Sequence, residues 1–338
     1  MSAHILGIHG HLPEKVETNE DLGREQPDWD MPRIAAKTGI LARHIAAADE
    51  TACDLGYAAA KKLLQRELVP AAEIDYLIFS TQTPDHLLPS NACVLQHRLQ
   101  LPTQIGAIDI SPGCAGFVFG LQLAQGLIHS RAARNVLLVT AETYSKLIHP
   151  RDRAVRSLFG DGATATLIGA TPDDAVGLGE FVVGTDGCGA TSLIVPSGGF
   201  RLPRSAATAA EHVDAQGGVR SQDHLFMDGQ AIFAFTLNTV PRAIAALFEK
   251  SGLTRDAVDW YVFHQANRFM LENLAKSAKL PQEKMVYHLA EVGNTVSSSI
   301  PLAIEAYVAA GRIQAGQKLL LVGFGVGFSW AACVVTWG

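Results

Sequence analysis

The chain has 338 residues, 48% of them hydrophobic and 18% charged, with a formal net charge of −6. That length supports one large α/β domain or two similar halves around a sizeable core, and the charge excludes the basic footprint of a nucleic-acid binder. The five cysteines, at 53, 93, 114, 188 and 333, are odd in number, widely spaced and free of any CxxC. They argue for a reducing compartment and against a disulfide framework or a zinc site.

The N-terminus has no basic stretch followed by a long apolar run, so no signal peptide is expected. Ile5 to Gly10 reads as an opening strand, ended by Leu12-Pro13. Residues 14–40 are polar and read as irregular, with Thr18 or Asn19 able to cap a helix. Thr51 caps a helix running through Leu68, closed by Pro70. Asp75 to Thr81 is a buried strand, 82–90 a loop, and a helix follows to about Leu99. Ile105 to Ile110 reads as a buried strand and Ala115 to Leu127 as a packed helix, with Pro112 and Gly113 bending the chain between them.

Cys114 therefore lies on a strand-to-helix turn. Free N–H groups and the positive end of a helix dipole there favour a thiolate, which is the nucleophilic form. A lone Cys is more often a buried small hydrophobe. Pro-Gly before this one and Ala-Gly after it clear space around the sulfur and favour a chemical role.

Asn135 to Ala141 is a further strand, and Phe159-Gly160-Asp161-Gly162 turns into the strand Ala163 to Ile168. A loop-rich middle spans about 185–225. Then come a helix from Gln230 to Lys250 that Pro241 should kink, a strand Asp259 to Phe263 ending at His264, a helix Asn267 to Lys279, and a helix from about Ser297 to Ala310. Leu319 to Gly338 carries no charge and is long enough to span a membrane. Gly323, Gly325 and Gly327 instead divide it into two short strands, Leu319–Val322 and Ser329–Trp337, of a buried hairpin.

Two segments recur at nearly one offset. Residues 74–79 resemble 258–263, 184 positions on, and 136–139 resemble 319–322, 183 positions on. The shared offset suggests a duplicated α/β unit, with halves at 1–175 and 176–338 whose strand ends meet at one site. A Cys (114), a His (264) and an amide (Asn294, in Gly-Asn-Thr) each end or follow a strand. Converging on one carbonyl, the Cys takes the acyl group, while imidazole and amide donate hydrogen bonds to a developing oxyanion.

These segments resemble the β-ketoacyl-acyl-carrier-protein synthase III family of the thiolase superfamily. The likeness rests on an ordered set: Thr38-Gly39-Ile40 with Arg43-His44-Ile45, Pro89-Ser90, Cys114-Ala115-Gly116-Phe117, Phe159-Gly160-Asp161-Gly162, His264-Gln265-Ala266-Asn267, Gly293-Asn294-Thr295 and Gly327-Phe328-Ser329-Trp330. The resemblance implies a five-layered αβαβα fold of two similar halves, usually a homodimer, in the cytoplasm and in fatty-acid or specialised-metabolite assembly, with no cofactor or metal. It implies that Cys114 is acylated by an acyl-CoA or acyl-carrier primer. His264 and Asn294 then hold the thioester oxygen of a malonyl donor as CO₂ leaves. The backbone N–H groups of Cys114 and Val326 form the oxyanion hole. Arg33, Lys37, Arg153, Gly229 and Asn267 bind CoA or pantetheine, and Leu88 and Phe324 belong to the acyl pocket.

Several positions depart from the family. Val326 stands where a glycine is usual, and Arg33 where a Trp stacks on adenine. Basic positions that dock an acidic carrier protein map to Ala234, to Phe269 beside Arg268, and to Ser277 beside Lys276. Leu88 replaces a bulky aromatic in the loop that reaches into a partner's pocket. Two other functions share this fold: a plain acyltransferase using His264 as general base, and a non-catalytic subunit of a heterodimeric synthase. A dinucleotide-binding reading of Gly323-x-Gly325-x-Gly327 fails, because a strand follows where a helix N-terminus is needed.

Overall fold

A computed structural model describes residues 2–171, 177–214 and 217–338. Two sheets organise them. In the first, the strands Ser2–His11, Gly162–Thr171, Asn135–Glu142, Tyr76–Ser80 and Gly106–Ile110 lie side by side in that order. In the second the order is Gly177–Thr185, Ser329–Thr336, Lys318–Gly325, Trp260–Phe263. Alternation along the strands gives each sheet two apolar faces. Leu77 and Phe79 of the first sheet pack outward on the helices Ala52–Leu64 and Asn91–Arg98, while Ile78 faces inward. Leu320 and Val322 of the second pack outward on the helices Gly229–Ser251 and Arg268–Ser277. Between the sheets lie the helices Gly116–His129 and Ser299–Ala309, with Phe117, Leu121, Ile300 and Ile304 in one fully apolar core. The result is the five-layered αβαβα arrangement of two similar halves.

The duplicated segments occupy matching places. Tyr76 pairs with Val136 and Trp260 with Leu319, both in parallel ladders and at the sequence offset of the repeat. The boundary at 175/176 falls in 172–176, outside the described residues.

Several local expectations need correction. Residues 14–40 hold a strand, Lys15–Thr18, and two helices, Asn19–Glu25 and Met31–Thr38. Thr18 caps the first of these in a reciprocal box with Asp21, a signal that the polar composition obscured. The Thr51-capped helix stops at Leu64, short of Leu68. The strand before Cys114 lies at the sheet edge and is half-exposed, not buried. In the C-terminal hairpin, strand pairing runs through Gly323 and Gly325, so the turn holds only residues 326–328. The helix Gly229–Ser251 is the one described helix long and apolar enough to cross a membrane. Its Phe235, Val240, Ile244 and Leu247 are buried against the second sheet, the place of a core helix.

Candidate active site

Cys114 sits in a short 3-10 turn, Gly113–Ala115, that runs into the helix Gly116–His129. It is 4% exposed and shares an apolar cluster with Tyr144, Ile148, Val155, Phe159, Leu193, Leu225 and Val296. The final hairpin lies against it. A methyl group on Gly325 would come within 3.1 Å of Cys114 Sγ, and one on Gly323 within 2.6 Å of Ala115 Cα, so only glycine admits this approach. Its own backbone N–H and that of Val326 lie beside the sulfur and favour its anion. Val326 is absent from the positive-φ residues, so its side chain carries no backbone strain.

The chain makes room for this valine elsewhere. Gly113 has φ +60°, and a methyl group there would stand 2.5 Å from Val326 Cγ1 and 2.6 Å from Gln82 Oε1. Val326 occupies the volume that Gly113 leaves open.

Burial, aided by the nearby Glu142 carboxyl, pushes Cys114 up to about 12, and the two N–H donors offset only part of this. Burial thus opposes the thiolate that the turn and its free N–H groups favour.

His264 ends the strand Trp260–Phe263 and is 2% exposed. Its ring lies edge-on to Phe324 at 5.6 Å, and Nδ1 is 2.8 Å from Ser299 Oγ. Burial pushes the imidazole down to about 3, against an opposing hydrogen bond with the Val296 backbone. The ring is therefore neutral at ordinary pH. Phe324 touches His264 and the next residue, Gly325, touches Cys114, so the hairpin brings the two side chains to one place.

Asn294 is held by both halves. Its N–H donates to Leu158 O at 2.9 Å, and its carbonyl accepts from Gly160 N–H at 3.0 Å. A methyl group on Gly160 would strike Val292 O at 2.4 Å, which gives the Phe159-Gly160-Asp161-Gly162 motif its steric reason. Asn294 Oδ1 accepts from Val296 N–H at 2.9 Å, leaving the Nδ2 donors to face outward from that bond. Val296 adopts φ +52°, rare for a β-branched residue, and is fully buried. The strained residue thus orients the amide.

Of the remaining candidates, Arg33 and Lys37 are exposed on the helix Met31–Thr38, with Lys37 Nζ 5.6 Å above the Phe269 ring. Arg153 begins the helix Arg153–Arg156, and Gly229 begins the long helix, where it is exposed. Asn267 Oδ1 caps the helix Arg268–Ser277 by accepting from Met270 N–H at 2.8 Å. Phe269 stacks on Phe233 at 5.5 Å. Leu88 is 82% exposed and lies outside this chain's own pocket. No group of three or more metal-ligating side chains is found among the described residues.

Sequence reasoning missed Glu142. It closes an apolar strand as His264 does, and that shared position was the available signal.

Residues 108–187 match the family described as 3-Oxoacyl-[acyl-carrier-protein (ACP)] synthase III, and residues 248–337 match its C-terminal part. Among curated relatives, a β-ketoacyl-[acyl-carrier-protein] synthase III from Caldanaerobacter subterraneus subsp. tengcongensis is 36% identical over 337 residues, covering 100% of this chain and 98% of the relative. A crystal structure of a 3-oxoacyl-(acyl-carrier-protein) synthase III superposes with TM-score 0.97 at 51% identity and 100% coverage of both chains. A 3-oxoacyl-(acyl-carrier protein) synthase from Burkholderia xenovorans LB400 gives TM-score 0.92 at 39% identity, covering 100% of this chain and 95% of its own.

Proposed function

Since the chain belongs to the β-ketoacyl-acyl-carrier-protein synthase III family and is a condensing enzyme of that type, we propose that Cys114 carries the primer and that His264 and Asn294 drive decarboxylation of the extender. The observation that carries this reading is the meeting of the Cys114 turn, the end of the strand Trp260–Phe263 and the loop that carries Asn294. Gly325 lies on the Cys114 sulfur, Phe324 on His264, and Val296 joins the Cys114 cluster while holding Asn294.

The family implies acyl-CoA or acyl-carrier and malonyl-carrier substrates. Cys114 attacks the primer thioester, and its thiol proton leaves with the departing thiolate. Its own N–H and that of Val326 hold the tetrahedral oxyanion. The malonyl carboxylate then departs as CO₂. Neutral His264 and the Asn294 amide stabilise the enolate oxygen left behind. The enolate carbon attacks the acyl-Cys, and the released Cys114 thiolate takes up one proton from water.

The exposed Arg33 and Lys37, with Arg153, Gly229 and Asn267, form the pantetheine entrance in this reading. The same face offers the stacked Phe233 and Phe269 where basic residues dock carriers in relatives. The enzyme acts as a homodimer in the cytoplasm. The exposed edge strand Gly106–Ile110, with Ile108 outward, and the neighbouring Leu87 and Leu88 support pairing between copies. In that dimer Leu88 enters the partner's pocket and leaves room for a longer or branched primer.

Intact mass after mixing with a panel of acyl-CoAs, beside Cys114→Ala, tests the reading. One adduct that requires Cys114, followed by CO₂ and a ketoacyl product on adding malonyl-carrier, supports it. Strict preference for acetyl would remove the Leu88 argument. A plain acyltransferase and a non-catalytic subunit are not favoured, because the relatives are named as β-ketoacyl-acyl-carrier-protein synthases III.

A further inference from the structure

Glu142 is a carboxyl with no solvent exposure, and the reaction above makes no use of it. It ends the strand Asn135–Glu142 and reaches two other segments. Oε2 accepts from Gln82 N–H at 3.0 Å, Thr83 Oγ1 at 3.2 Å and Thr81 Oγ1 at 3.4 Å. Oε1 accepts from Ser297 Oγ at 3.1 Å. Gln82 and Ser297 are among the neighbours of the nucleophile's turn. Gln82 Oε1 fills the space beside Gly113, where it also accepts from Tyr144 OH. Ser297 Cβ lies 3.3 Å from where a Gly116 methyl would stand. Glu142 therefore grips both flanks of Cys114, one residue before it and two after.

Ser297 also belongs to the turn Val296–Ser298, whose Val296 orients Asn294 and whose following residue, Ser299, bonds His264. One carboxyl thus ties the nucleophile of the first half to the decarboxylation pair of the second.

We propose that Glu142 is a positioning residue that clamps the Cys114 turn to the His264–Asn294 side of the site, and whose charge sets how readily Cys114 loses its proton. The titratable groups facing it are Cys114 and Tyr144; burial pushes both up, and the Glu142 charge adds to it. Burial pushes Glu142 itself up to about 8, against four opposing hydrogen bonds. Near neutral pH the carboxyl is then mostly protonated and leaves Cys114 unopposed. Above that range its anion disfavours a second negative charge beside it.

The proposal rests on Cys114 being the nucleophile. Its first test needs no substrate, so it fails independently of that reading. The full chain is treated with iodoacetamide, and modification of Cys114 is followed by peptide mass mapping in wild type and Glu142→Gln. Gln keeps an acceptor for the Gln82, Thr81 and Thr83 donors and turns its amide toward Ser297 Oγ. The two proteins should react alike at pH 6.5. At pH 9 the variant should react about tenfold faster, the effect of removing one pKa unit of opposition. Superimposable profiles up to pH 9 would overturn the electrostatic role. Ser297→Ala keeps the charge and cuts the tie between halves, and it decides the clamp even where the Gln variant does not fold. Its alkylation at pH 6.5, where the carboxyl is protonated with or without this bond, should match wild type while CO₂ release from malonyl-CoA falls about tenfold. Unchanged CO₂ release would overturn the clamp.

Discussion

Gly113→Ala tests the steric logic of the nucleophile's turn. Two costs add. The left-handed conformation at φ +60° costs an L-residue about 1–2 kcal/mol. The new methyl group would stand 2.5 Å from Val326 Cγ1 and 2.6 Å from Gln82 Oε1, and relieving such overpacking costs roughly 1–3 kcal/mol. The sum, about 2–5 kcal/mol, is a large share of the roughly 5–15 kcal/mol typical of folded proteins. Adding Val326→Gly removes the first contact and leaves the backbone term. Urea unfolding of wild type, both single variants and the double variant yields a coupling energy. It should be at least about 1 kcal/mol in favour of the double variant, and Cys114 acylation should recover in parallel. Additivity within about 0.5 kcal/mol would refute the idea that the valine fills the glycine's space.

With its thiol held near 12, Cys114 should alkylate faster with each pH step up to pH 10, and a plateau below pH 9 would contradict its burial. His264 is depressed to about 3 from an ordinary 6.5, so the unfolded chain binds the proton first as pH falls. Its contribution to stability is full above about 6.5 and is lost progressively toward pH 3. Relative to His264→Gln, wild type should lose up to about 2 kcal/mol between pH 7 and pH 5 in urea titrations, and an unchanged difference would refute the assignment. Asn294→Ala should leave Cys114 acylation intact and slow CO₂ release from malonyl-CoA by ~10²-fold or more, as for loss of an oxyanion donor. Equal losses in both half-reactions would show that the amide serves the whole site.

The layers of this fold were legible because buried strands and helices differ in period, and the two repeats share an offset. Cys114 was legible from the Pro-Gly and Ala-Gly around it, Asn294 from its Gly-Asn-Thr motif, and His264 because a polar residue closing an apolar strand is uncommon. Glu142 met that criterion and was passed over, since Ala-Glu-Thr carries no motif. The edge strand was misread for a physical reason: apolar residues suit a strand covered by its own sheet and one that awaits a partner equally well. The thiol's pKa was misjudged because helix polarity can be inferred locally, whereas desolvation depends on Tyr144, Phe159, Leu193 and Leu225, which arrive from distant segments. The compensation between Gly113 and Val326 was equally invisible, because it links positions 213 apart.

The parallel bridge between Phe159 and Asn294 makes catalysis a gauge of how the halves sit together. Both backbone bonds that hold Asn294 in place come from the first half, while its chain comes from the second. A slight parting at this bridge therefore withdraws the amide while the apolar core shared by the two halves is still closed. At rising urea, condensation should fail at lower concentrations than those that shift tryptophan fluorescence. Alkylation of Cys114, whose turn stays with the first sheet, should accelerate in that same interval. Inactivation would then come from loss of alignment, with both halves still folded.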